Sequence, residues 1–253
     1  MFIVYKLFQI ISPLSLALVL EIIFFSKTPL AVLLPVTLLI TASAVWLYHR
    51  FKFTAEFFSF LISPLVFVAV TILFALFIDK TWLYHLYAGF VAIFLFVYLG
   101  RMLDYKFYPT RYQPYSLENF SWYMAMLSTF LFFSFAFGLI IFLKMKLLFL
   151  ALIVLAFSLL LLYQIFWINK IQFADSHVFI VAIAVVLVEL FAAIYYLPTG
   201  FYVNAFILTV AFYLMTGLAR AFLSGSLDKK KIINFLAISA VCLVAILATA
   251  RWI

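Results

Sequence analysis

The sequence predicts an all-α, polytopic integral membrane bundle of about nine transmembrane helices, arranged as four hairpins plus one. Three observations carry that prediction. Hydrophobic residues make up 70% of the chain and charged residues only 9%, where a soluble domain carries roughly 25% charge. The apolar residues fall into blocks close to the ~20 residues that a helix needs to cross hydrocarbon. Short runs between the blocks collect most of the charges and turn formers. A membrane β-barrel is excluded, because its ~10-residue strands alternate apolar and polar residues, and Leu147 to Leu162 does not. No stretch remains for a soluble domain, so residues 1–253 read as a single transmembrane domain.

Each block has its own reason to start and stop, with boundaries good to about three residues. The first helix, roughly 7–25, follows Lys6 and ends at Lys27-Thr28-Pro29. Glu21 interrupts it and no small-residue cleavage site follows, so it reads as a spanning helix rather than a cleaved signal. The second, roughly 30–48, stops at Arg50, and the third, roughly 59–78, stops at Asp79-Lys80. The fourth, roughly 82–99, opens on Trp82 and ends before Gly100-Arg101. Ser116-Leu117-Glu118-Asn119 is a helix-start pattern for the fifth, roughly 120–143, which ends at Lys144-Met145-Lys146. The sixth, roughly 147–168, is mostly Leu, Ile and Phe and stops ahead of Lys170. The seventh, roughly 178–196, closes on Tyr195-Tyr196 before Pro198-Thr199-Gly200. The eighth, roughly 202–222, ends at Arg220, and the ninth, roughly 232–250, follows Asp228 and Lys229 to Lys231. Ala237, Ser239, Ala240, Cys242, Ala245 and Ala248 predict that the ninth packs closely through small residues. Ile11-Ser12-Pro13-Leu14 recurs as Ile62-Ser63-Pro64-Leu65, which suggests a duplicated hairpin; biased composition is the alternative.

Orientation follows from counting Lys and Arg on alternate sides of the spans. One side holds Lys6, Arg50, Lys52, Arg101, Lys106, Arg111, Lys170, Arg220, Lys229, Lys230 and Lys231; the other holds Lys27, Lys80, Lys144, Lys146 and Arg251. The richer side is expected to be cytoplasmic, which places the protein in the cell (cytoplasmic) membrane with its N-terminus inside and its C-terminus outside. Aromatic residues agree: Trp46, Tyr48, Trp122, Tyr123, Tyr163 and Trp167 lie near the inner ends, and Trp82, Tyr84, Tyr195, Tyr196, Tyr202 and Trp252 near the outer ends.

Few polar groups stand inside the apolar blocks. Glu189 is placed near the middle of the seventh helix, where a charge costs at least ~2.5 kcal/mol, so it is expected to face other helices or a cavity. Ala182, Val186, Ala193 and Tyr196 share its face. Glu21, His85 and Asn204 fall in the same outer half, and the four together are the candidate ligand or proton site. Arg101, Lys106, Arg111, Arg220, Lys229, Lys230 and Lys231 are expected at the lipid headgroups on the inner face, with anionic lipid as their partner. In the 100–119 segment these cations alternate with Tyr105, Tyr108, Tyr112 and Tyr115, a composition that suits the interface or a docked protein partner. The formal net charge of +8 belongs mostly to these loops and points to lipid rather than to nucleic acid.

No phosphate loop, zinc motif or nucleophile elbow occurs. Cys242 has no second cysteine to bridge. No cofactor, metal or catalytic residue is therefore expected. Three function classes remain. The leading one is a non-enzymatic membrane subunit or scaffold. The second is a carrier or binder of a lipid-like or weakly polar solute that uses the outer polar cluster around Glu189. The third is an intramembrane acid–base enzyme.

Overall fold

The computed structural model describes residues 2–26, 30–52 and 54–250. Among them the chain forms nine α-helices and no strand: α1 Phe2–Phe25, α2 Leu30–Tyr48, α3 Ala55–Ala75, α4 Thr81–Phe107, α5 Ser116–Leu143, α6 Leu147–Ile168, α7 Phe173–Ile194, α8 Phe201–Leu223 and α9 Lys229–Thr249. All nine hold a stretch long and apolar enough to cross a membrane. Lys27, Thr28, Pro29, Arg251 and Trp252, which entered the turn, charge and aromatic arguments, lie outside the described residues.

The helices match the apolar blocks except where backbone hydrogen bonding outlasts hydrophobicity. α4 continues past Leu99 to Phe107, through Arg101, Asp104 and Lys106. α7 starts at Phe173, ahead of the apolar run, with Asp175 in its first turn. A carboxylate there is favoured by the helix dipole. The 100–119 segment is thus mostly helix, and the link it leaves is 108–115.

The chain divides into two compact units, Met1–Ala125 and Met126–Ile253. In the first, α1 packs against α2 and α4, and α2 against α3. The α1–α4 seam is held at both ends by rings. Tyr5 stacks on Phe107 at 4.4 Å, and Phe24 lies 4.8 Å from Tyr84. Between them Gly100 leaves room for Gln9, whose Nε2 sits 2.5 Å from where a Cβ would stand. Hydroxyls turn inward and aliphatic groups outward: Ser12 and Thr41 share a buried hydrogen bond of 3.0 Å, while Leu7, Ile10, Leu14 and Leu18 are exposed. Lipid tails are as apolar as leucine, so such bonds, worth on average about 0.6 kcal/mol, and close packing replace hydrophobic drive. Both copies of the Ser-Pro repeat use this device, but differently. Ser12 bonds α2, whereas Ser63 bonds Ser121 of α5 at 3.1 Å. The repeat is a shared local motif in two different packings.

In the second unit α6 packs on α7, α7 on α8 and α8 on α9. α5 meets its neighbours through rings: Phe132 stacks on Phe157 of α6 at 3.7 Å, and Phe137 lies 4.7 Å from Phe191 of α7. The ninth helix departs from expectation. Ala237, Ala240, Ala245 and Ala248 are exposed, and Ser239 alone among its described residues is buried. The close approach comes from the other side, where the ring of Phe235 lies on Gly217 of α8. A Cβ at 217 collides with three ring atoms, so Gly217→Val should lower stability by about 1–3 kcal/mol. Phe235→Ala in that background should recover most of the loss, read as apparent melting temperature in detergent.

Candidate functional site

Glu21 and His85 form one contact between α1 and α4. His85 Nδ1 lies 2.8 Å from Glu21 Oε1, with the two side chains 40% and 35% exposed. Phe24, Phe25 and Tyr84 surround the imidazole at ring distances of 5.3, 6.0 and 6.3 Å. Tyr84 in turn donates its hydroxyl to the Leu20 carbonyl at 2.7 Å, which fixes the register of the two helices at the pair. Half-exposed and paired, Glu21 and His85 form an acid–base couple anchored to a helix seam.

Glu189 is placed differently from the sequence expectation. α7 ends at Ile194, so the carboxyl lies nearer the helix end than its middle, and it is exposed. The buried face of α7 is Ile180, Ile183, Ala184, Leu187, Phe191 and Ile194. Ala182, Val186, Glu189 and Ala193 lie together on the opposite, exposed face. Among the described residues Glu189 makes no hydrogen bond or ion pair. Helical Cα–Cβ bonds tilt toward the N-terminus, so the side chain leans away from the nearer end of α7 and reaches the membrane surface poorly.

Asn204, in the first turns of α8, is only 3% exposed, and its side-chain oxygen accepts from the Thr199 hydroxyl. Both line a cavity of about 280 Å³ with Phe137, Ile140, Tyr195 and Pro198. In the first unit Glu21 is brought to His85; in the second, Asn204 is brought to Thr199 and Glu189 stands on an exposed face of α7.

The basic candidates divide in the same way. Lys106 pairs with Glu56 at 2.6 Å and lies over the Phe60 ring. Arg111 lies over Tyr108, and Arg101 is half-buried on α4. Tyr112 donates to Glu118 at 2.5 Å and accepts from the Leu117 amide at 3.2 Å, closing the 108–115 link onto α5. Arg220, half-buried, and Lys231, exposed, line a common cavity, while Lys229 and Lys230 are exposed outside it.

A family model described as "Protein of unknown function (DUF5656)" matches residues 17–249. The chain belongs to that family. No curated protein and no solved structure matches it. The DUF5656 match takes in all four outer candidates and every basic one, from Glu21 to Lys231. Ser12 and Pro13 fall outside it.

His49 is a residue of the DUF5656 region that the sequence reading passed over. It follows the last residue of α2 and is 7% exposed between Phe57 and Phe60. Nδ1 lies 3.0 Å from the Val45 carbonyl, and Nε2 is buried without a partner. Burial, the largest influence, pushes its pKa below 6.5; Lys106 adds to this, while the Val45 carbonyl and Glu56 oppose it. A histidine held neutral in the fold binds fewer protons than in the unfolded chain, so its stabilising contribution is present above about 6.5 and is lost as pH falls. The apparent melting temperature should therefore drop between about pH 7.5 and about pH 5.5, and His49→Phe should flatten that drop.

Proposed function

We propose that this multi-pass membrane protein is a non-enzymatic subunit that assembles with a second copy of itself through the exposed face of α7. The observation that supports this is Glu189, an unbonded carboxyl on an exposed helix face. A carboxyl turned to lipid within a span is unfavourable and has no bonding partner there, and covering it removes that cost. Ala182, Val186, Glu189 and Ala193 alternate at four- and three-residue steps, the spacing of a seam between two helices. Two of the four are alanines, which let backbones come close. A second copy is the favoured occupant because a two-fold axis through this face sets the alanines against their own counterparts and brings the two carboxyls together, and a pair of carboxyls complements itself when it shares a proton.

Single-cysteine variants in a Cys242→Ser background test this in native membranes. Ala182→Cys and Ala193→Cys should form dimers on mild oxidation, and Val181→Cys, exposed but off the seam, should not. Glu189→Leu should weaken dimerisation about 3- to 20-fold, the range of one interhelical hydrogen bond. Equal cross-linking at 181 and 193, or no dimer at any lipid dilution, would contradict the proposal.

The cavity beside Asn204 favours a second reading, that of a binder of a lipid-like or weakly polar solute. A discrete ligand mass, seen by native mass spectrometry on the wild type and lost in Asn204→Leu, supports it. Bulk lipid alone on both proteins opposes it.

A further inference from the structure

The cavity at the α8–α9 turn has a different chemistry from every site above. It measures about 260 Å³ and is lined by Tyr213, Gly217, Arg220, Ala221, Ser224, Ser226, Lys231, Asn234 and Phe235. Its polar lining consists of two cations, two serine hydroxyls, a carboxamide and a phenol, with no carboxylate among the nine residues. The two serine oxygens lie 2.9 Å apart, brought together by Gly225 at φ +64°, a turn conformation that glycine adopts without strain. The nearest acid in sequence, Asp228, is engaged as the cap of α9, where it accepts from the Lys231 amide at 2.6 Å. The apolar floor is Gly217 with the Phe235 ring above it, and Tyr213 stands 5.4 Å from that ring.

We propose that this pocket binds a phosphate monoester. The guanidinium of Arg220 offers paired N–H donors that match two phosphate oxygens, Lys231 supplies a second charge, and Asn234 supplies a neutral donor for the third oxygen, while the Ser224 and Ser226 hydroxyls bond the Ala221 carbonyl and line the wall. The volume lies below the roughly 300 Å³ at which pockets for drug-sized ligands begin, so it suits a small phosphorylated group. The same chemistry fits a phosphatidic acid headgroup entering from the bilayer or a small soluble phosphate ester.

Calorimetric titration of the full chain in maltoside detergent tests the assignment. The probes are dioctanoyl phosphatidic acid, dioctanoyl phosphatidylcholine and glycerol 3-phosphate. Two double variants each remove two positive charges: Arg220→Gln with Lys231→Gln inside the pocket, and Lys229→Gln with Lys230→Gln outside it. The expected result is that phosphatidic acid binds, phosphatidylcholine does not, and the pocket pair weakens binding at least about tenfold while the outside pair changes it less than about threefold. Glycerol 3-phosphate binding with the same variant pattern assigns the pocket to a soluble ester; lipid binding alone assigns it to a headgroup. Equal weakening by both pairs means a diffuse basic surface and overturns the proposal, as does the absence of binding by both phosphate esters. If the Arg220 variant melts early, Lys231→Gln inside the pocket is compared with Lys230→Gln outside it, one charge against one, with the same direction expected.

Discussion

Hydrocarbon offers a polar side chain no water, so each one inside the bundle must be bonded within the chain, turned toward the membrane surface, or covered by another molecule. The described residues show the first two arrangements repeatedly. Ser12 is bonded to Thr41 and Ser63 to Ser121. Thr37, Thr209 and Thr216 return their hydroxyls to carbonyls of their own helices. Glu21 and His85 pair with one another a turn or so from the ends of α1 and α4. Glu189 follows neither pattern; His49 Nε2 and buried hydroxyls such as Ser128 and Ser158 also go without a partner, but Glu189 is a carboxyl, and it stands on an exposed helix face.

The same constraint shapes the packing. When both faces of a helix are apolar, burial does not choose which face goes inside, and shape decides. In the first unit α1 and α4 are joined by rings at the ends of the seam and by a glycine between them. In the second, phenylalanines space α5 from α6 and α7, and Gly217 receives Phe235 from α9. The outward alanines of α9 illustrate how composition misleads here: small residues permit close packing, but α9 presents them to its exposed side.

The nine spans were legible because charges, Pro-Gly turns and interfacial aromatics interrupt otherwise continuous apolar runs. The extension of α4 to Phe107 was not, since Arg101, Asp104 and Lys106 end a hydropathy signal without ending a helix. The orientation of α7 was equally hidden, because a helix apolar all round has no amphipathic face to read. The sequence therefore named Glu189 and its neighbours Ala182, Val186 and Ala193 as one face without revealing that the face is exposed. Glu21 and His85 were individually conspicuous, but their contact depends on α1 lying beside α4, a choice of neighbour that the chain order does not state. His49 gave no signal beyond its place after α2; its burial arises from Phe57 and Phe60 folding over it.

The central claim is that Glu189 is covered in the membrane by a second copy of α7. A hydrophobic carbodiimide, which modifies neutral carboxyls within lipid, measures that coverage directly when the modified site is located by peptide mass spectrometry. Glu189 should be protected in native membranes and should become labelled when the protein is diluted into a large excess of lipid. Equal labelling under both conditions would show the carboxyl facing lipid throughout and would contradict the account.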